Sequence, residues 1–256
     1  MPASTGKVKV SKDQAALALS KMQELDRPIK FLLIGRTGVG KSSTINSLLG
    51  TEVAPAGKFK PKTLTVKEYK HSHGGYDYVV VDTPGLCDDL PKSENNEKYL
   101  KKIKSKASTA DCIWFVSTLD EPRVRSDELQ GIEAITKQLG TEIWKNAIII
   151  LTRSDKVTAS EFEETLHERS KVIKQKISMF AGVSARKIPV VAVSNEKDRL
   201  PNRKLWLGEL FTTSFERFSD EAAVPFLSSM KEDVSRKRKP AVKKIAKPQT
   251  PSQELN

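Results

Sequence analysis

Apolar residues along this chain fall into short unbroken runs, separated by segments in which they recur at helical spacing. The runs at residues 29–34, 79–81, 111–118, 147–151 and 188–193 have the length and β-branched content of buried strands. Between them, Ile45, Leu48 and Leu49 form one helix face. Leu129, Ile132, Ile135 and Leu139 form a second, and Phe162, Leu166, Val172 and Ile173 a third. Ser126 is expected to cap the second helix, and Ser160 with Glu163 to make a capping box for the third. A lysine-rich helix is expected to end near Lys106, and a last one to cover residues 206–218. Residues 64–70 and 76–82 read as two strands, with His71-Ser72-His73-Gly74-Gly75 as the turn between them. Strands alternating with helices predict one α/β domain: a mostly parallel central sheet, one antiparallel edge strand, and helices on both faces. Ahead of it, Ala15, Leu19, Met22 and Leu25 predict an amphipathic helix over residues 11–26.

The first strand runs straight into GRTGVGKSS, residues 35–43, with Gly35, Gly40, Lys41 and Ser42 in the G-x-x-x-x-G-K-[ST] pattern. Glycine lets successive backbone N–H groups turn inward and cup an anion, so the backbone from Arg36, Thr37, Gly38 and Val39 through Gly40 to Ser43 is the expected phosphate cradle. Lys41 can then reach the β- and γ-phosphates, and the Ser42 hydroxyl can complete Mg²⁺ coordination. The pattern also fits an ordinary glycine-rich strand–helix turn, but strand, loop and helix follow here in the order a phosphate site needs.

Three further motifs fall at later strand ends. Asp82-Thr83-Pro84-Gly85 would place Asp82 against the metal's water shell and the Gly85 N–H at the γ-phosphate. Thr152-Arg153-Ser154-Asp155 offers the Asp155 carboxylate to the paired N1 and N2 donors of guanine. Ser194-Asn195-Glu196-Lys197 lies where a last loop would close over the base. Adenine offers a carboxylate no such donor pair, and an unpaired buried polar group costs about 1–3 kcal/mol. The expected base is therefore guanine.

Composition narrows the setting. No apolar run approaches the roughly 20 residues of a bilayer span, and the start of the chain lacks the apolar core of a secretory signal. Two cysteines, Cys87 and Cys112, fit a reducing compartment, with Cys112 in a strand and Cys87 in a loop. The expected location is cytoplasmic, with a peripheral position at an organelle or membrane surface as the alternative. Of the net charge of +12, residues 231–256 hold eight Lys/Arg against three acids, which is +5, and the rest of the chain holds +7. That tail is expected to be disordered, and anionic membrane or RNA is its expected class of partner. It lacks aromatic residues for base stacking. The divisions expected are an N-terminal segment at 1–28, a nucleotide-binding domain at 29–220 and a basic extension at 221–256.

In order and spacing these motifs resemble the GTP-binding domain of the translation-factor-related P-loop class. More narrowly they resemble the Toc/GIMAP-type (paraseptin) GTPases, which include the chloroplast outer-envelope import receptors and the immunity-associated GTPases. GRTGVGKSSTINSLLG, VVVDTPGL, STLDEPRVRSDEL, EIWKNAIIILTRSD and IPVVAVSNEKDRLPNRKLWLGEL carry the likeness, with LDEPRV and RLPNRKLW on the import-receptor side.

The resemblance implies a GTP- and Mg²⁺-binding switch protein that hydrolyses GTP and self-associates according to nucleotide, as a homodimer across the nucleotide sites. It makes Thr63 the switch threonine on Mg²⁺ and γ-phosphate, with Thr65 as the fallback, beside Ser42 and Asp82 at the metal. It lays Asn195 against the base and makes Arg123 the arginine that reaches across the dimer. Lys41, Thr63, Gly85 and Arg123 are then the expected catalytic set. Thr152, Arg153, Asp155, Ser194 and Asn195 are the expected base-side set. Leu86 stands where Ras-like enzymes carry a water-orienting glutamine, so intrinsic hydrolysis is expected to be slow unless another loop residue such as Asp88 substitutes. Two alternatives stand beside this reading: an RNA- or ribosome-associated assembly GTPase using the basic tail, and a GTP-binding scaffold at an anionic membrane.

Overall fold

A computed structural model describes residues 28–50, 54, 66–73, 76–85, 101 and 103–217. The expected helix at 11–26, the switch candidates Thr63 and Thr65, the segment with Leu86, Cys87 and Asp88, and the basic tail all lie outside these residues.

The described elements follow the hydrophobic pattern closely. They are β1 (Ile29–Ile34), α1 (Lys41–Leu49), β2 (Lys67–His73), β3 (Tyr76–Asp82), β4 (Cys112–Thr118), α2 (Ser126–Leu139), β5 (Ala147–Thr152), α3 (Phe162–Ala181), β6 (Val190–Ala192) and α4 (Trp206–Glu216). They build a six-stranded sheet in the order β2-β3-β1-β4-β5-β6. All pairs are parallel except β2 with β3. The expectation of a mostly parallel sheet with one antiparallel edge strand holds. Strands β4 and β5 are buried along their whole length because helices cover both faces, which is why they read as continuous apolar runs. In the core, Phe31 lies 4.6 Å from Trp114, and Phe211 of α4 packs edge-on against Phe31 and Tyr78. The Trp114 indole donates to Ser214 Oγ at 3.0 Å, which fixes α4 on the sheet.

Four local expectations are corrected. The histidines are strand residues, since β2 runs to His73 and pairs His71 with Tyr78 and His73 with Tyr76. Gly74 and Gly75, between the two strands, lie outside the described residues. Ser126 is the first helical residue of α2 rather than its cap; Asp127 Oδ1 instead accepts the Glu128 N–H at 2.9 Å. The Ser160–Glu163 capping box does not form, because α3 begins at Phe162 with Glu161 at its N-cap. The Thr158 hydroxyl takes the Glu161 carboxylate at 2.7 Å and holds the entry turn one residue later than the motif implied. Strand β6 is also shorter than residues 188–193, since Ile188 ends a 3₁₀ turn over Val183–Lys187.

Strands β1, β3, β4, β5 and β6 point their carboxyl ends the same way. The four motifs therefore meet along one rim of the sheet, the place open α/β sheets use for ligands.

Candidate functional site

The phosphate loop leaves β1 and enters α1 through Gly40, whose φ of 96° a side chain would resist. Lys41 is nearly buried, and its ammonium donates to the carbonyl oxygens of Gly35 at 2.9 Å and Arg36 at 2.7 Å. That lysine is folded across its own loop, which holds the charge against the loop backbone. Val39 is buried, Gly38 is exposed, and Arg36, Thr37, Ser42 and Ser43 line the partly exposed mouth.

From the end of β3, the Asp82 carboxylate meets this loop. Ser42 Oγ donates to Asp82 Oδ2 at 2.8 Å, although forty residues separate them. A hydroxyl and a carboxylate at one point form the hard-oxygen donor set that Mg²⁺ prefers, so the residues present fit the ion. Thr83 Oγ1 donates to the Leu33 carbonyl at 2.7 Å and fastens the turn after β3 to β1. Gly85 then lies directly on Thr37: a Cβ at residue 85 would come within 2.3 Å of the Thr37 backbone nitrogen. Only glycine permits that approach.

The base-side motif stands at the end of β5. Thr152 is fully buried, and its hydroxyl donates to Val39 O at 2.6 Å and Ser117 O at 3.1 Å. Its hydroxyl is thus spent on holding the phosphate loop. Arg153 takes a left-handed conformation (φ 58°), which costs about 1–2 kcal/mol for a side-chain-bearing residue. The geometry turns its guanidinium back over the loop, donating to Gly38 O at 2.6 Å with Asp120 at 3.6 Å. Asp155 accepts from Ser194 Oγ at 2.9 Å, so the hydroxyl orients the carboxylate. Ser194 Oγ in turn accepts the N–H groups of Glu196 and Lys197. Asn195 donates to Thr44 Oγ1 at 3.2 Å and Gly40 O at 3.4 Å, which ties the last loop to α1. Its Oδ1 is buried with no hydrogen-bond partner among the described residues. Trp206 Nε1 donates to Lys197 O at 2.8 Å and pins the far side of that loop.

Of the residues expected from sequence, Lys41, Ser42, Asp82, Gly85, Arg153, Asp155, Ser194 and Asn195 therefore gather on one rim. Arg123 is exposed in the loop between β4 and α2 and makes no hydrogen bond or ion pair among the described residues. Thr63 lies outside the described residues.

Several contributors carry no sequence motif. Arg36 is held by Glu121 Oε2 at 2.6 Å and Asp127 Oδ2 at 3.3 Å. Burial works to lower the Arg36 pKa, but the Glu121 hydrogen bond and the charges of Glu121, Asp127 and Glu128 outweigh it and raise it. Below, Arg169 of α3 makes a buried ion pair with Glu128 at 3.0 Å and donates to the Thr118 carbonyl and Ser117 Oγ. Ser117 Oγ also donates to Glu128 Oε1. Acids in STLDEPRVRSDEL were visible in the sequence, but Arg36 and Arg169, which Glu121, Asp127 and Glu128 hold, lie 41 to 91 residues away, beyond any local pattern.

The AIG1 family profile matches residues 29–203, from the first strand through the base-side loop. The chain belongs to the AIG1 family. Among curated relatives of this AIG1 domain is Translocase of chloroplast 108 of Physcomitrium patens, 30% identical over 216 residues. The match takes in 77% of this chain and 22% of that protein, so the chain spans about a fifth of the relative's length. Among solved structures, Toc33 from Arabidopsis thaliana in complex with GDP and Mg²⁺ is 26% identical with a TM-score of 0.63, covering 83% of this chain and 89% of that one. A structure of the chloroplast translocon components atToc33 and psToc159, for which dimerization is important for GTPase activity, is 25% identical with a TM-score of 0.67. It covers 80% of this chain and 88% of that one.

Proposed function

We propose that this AIG1-family protein is a GTP-binding switch: it binds GTP or GDP with Mg²⁺, hydrolyses GTP slowly to GDP and phosphate, and self-associates according to the nucleotide held. The observation that carries the reading is the meeting of Lys41, Ser42 and Asp82 at one end of the rim with Asp155 and Ser194 at the other. In this reading Lys41 and the loop N–H groups hold the phosphates, and the Gly85 N–H orients the γ-phosphate. Asp155 accepts the guanine N1 and N2 protons, and Arg153 covers the base. Ser42 and Asp82, with Thr63, hold Mg²⁺, which neutralises phosphate charge when bound. Water attacks the γ-phosphorus, the bond to the β–γ bridging oxygen breaks, and GDP leaves with inorganic phosphate.

Self-association rests on Arg123, whose exposure leaves its guanidinium available to a second copy, and on the behaviour of the translocon relatives. Those relatives also favour a peripheral position at an organelle surface over a free cytoplasmic one. No helix among the described residues is long and apolar enough to cross a membrane. The functional unit is the domain of residues 29–220, with flanking segments at 1–28 and 221–256.

The test is solution mass by analytical ultracentrifugation with GDP, with a non-hydrolysable GTP analogue and with neither, for wild type and Arg123→Ala. Turnover is measured across protein concentration in parallel. A wild type that dimerises with one nucleotide state, and a variant that dimerises less, supports the reading. A monomer in every state, with specific activity independent of concentration, removes self-association from it.

A further inference from the structure

The site's phosphate loop is gripped from outside by a loop that belongs to none of its motifs. Residues 119–125 join β4 to α2, and their acids reach inward in two directions. Asp120 stands 3.6 Å from Arg153, the arginine of the base-side motif. Glu121 takes Arg36, the second residue of the phosphate loop, at 2.6 Å, and Asp127 in the first turn of α2 adds a 3.3 Å contact. The Arg36 side chain is only 10% exposed, and its Nε has no hydrogen-bond partner among the described residues. Its position therefore depends on the two carboxylates.

That position matters because the Arg36 carbonyl is one of the two oxygens on which Lys41 rests, at 2.7 Å. Moving Arg36 moves the seat of the lysine that meets the phosphates. The gripping loop is itself fixed at both ends. Leu119 N donates to Thr152 O at 2.9 Å, and the buried Glu128–Arg169 pair joins α2 to α3 and to the end of β4. Its outer side, with Pro122, Arg123 and Arg125, is exposed.

We propose that Glu121, assisted by Asp127 and acting through Arg36, is a positioning residue for the phosphate loop: the carboxylates set the lysine seat and so the lifetime of bound guanine nucleotide. Charge-assisted pairs of this geometry are the stronger class of hydrogen bond, and partial burial spares this one the screening that weakens surface pairs. The inference rests on the nucleotide reading proposed above.

Release of a fluorescent GDP analogue from the full-chain protein tests it, in wild type, Arg36→Ala, Glu121→Ala and the double variant. Each single change is expected to speed release about tenfold, as loss of a charge-assisted contact predicts. The double variant is expected to be no faster than either single one, because the two residues act as one unit. Arg36→Lys, which keeps the charge and loses the fork, is expected to fall between wild type and Arg36→Ala. Glu121→Gln keeps the shape and loses the charge, so it carries the test should an alanine variant fold poorly. The melting temperature of the nucleotide-free variants is expected to stay near that of wild type. Unchanged release, additive effects, or a loss of stability matching the loss of nucleotide lifetime would each overturn the inference. A wild type that binds no guanine nucleotide would overturn the proposed function and this inference with it, whereas a binding wild type with unaltered variants overturns the inference alone.

Discussion

Asp155→Asn removes the feature on which the choice of guanine depends. In the structure Asp155 Oδ1 accepts the Ser194 hydroxyl at 2.9 Å, while Oδ2 faces Lys156 at 3.7 Å. The side chain is only 6% exposed, so water replaces its contacts poorly. With asparagine, Ser194 can still donate to the amide oxygen, and the amide NH₂ then points where the guanine N1 and N2 protons arrive. Two charge-assisted hydrogen bonds are lost and a donor faces donors. Bonds to charged groups contribute about 1.5–3 kcal/mol each. Allowing for partial replacement by water, the net loss is about 2–4 kcal/mol, or roughly 30–800-fold in GDP affinity. Xanthine carries a carbonyl where guanine carries the amino group, so the same variant is expected to gain affinity for xanthosine diphosphate. Isothermal titration of wild type and variant with GDP, ADP and xanthosine diphosphate measures all three. Equal GDP and ADP affinity in the wild type, or a variant that keeps wild-type GDP affinity, would refute the assignment of Asp155 to the base.

Two other predictions concern the frame beneath the site. Arg169→Ala leaves Glu128 buried and unpaired, and is expected to cost about 3–5 kcal/mol in urea denaturation, whereas joint replacement by Arg169→Met with Glu128→Leu is expected to cost far less. Burial pushes the Cys112 thiol well up, against smaller opposing effects of Arg217, Trp114 and Ser214. In a Cys87→Ser background Cys112 is therefore expected to resist thiol reagents in the folded protein and to react only on unfolding, which a thiol titration with and without denaturant reads directly.

Most of the elements, and the placing of the four motifs at strand ends, are legible in the amino-acid pattern alone. Strands β1, β4 and β5 were legible because burial on both faces leaves uninterrupted apolar runs, and the phosphate loop because its glycines and lysine must be contiguous to wrap an anion. Asp82, Asp155 and Ser194 were legible because each follows a buried strand, and parallel sheets gather such ends on one rim. Local capping was less legible. Ser126 and Ser160 both fit the cap pattern, yet α2 is entered from Arg125 and α3 from Glu161, neither with a side-chain cap hydrogen bond. The first N–H groups of a helix can be satisfied by water or other neighbours as well as by a side-chain cap, so the pattern alone does not place the entry.

How the rim is held is visible only once the chain is folded. The Ser42–Asp82 contact, the Thr152 tether to Val39 and the anchoring of Asn195 on α1 depend on strand order and register. So does the capture of Arg36 by Glu121 and Asp127 across 85 and 91 residues. A charged residue in a loop reads the same in sequence whether it faces water or a partner. Its pairing is fixed by the folding of two distant segments onto neighbouring strands, and no local pattern records that.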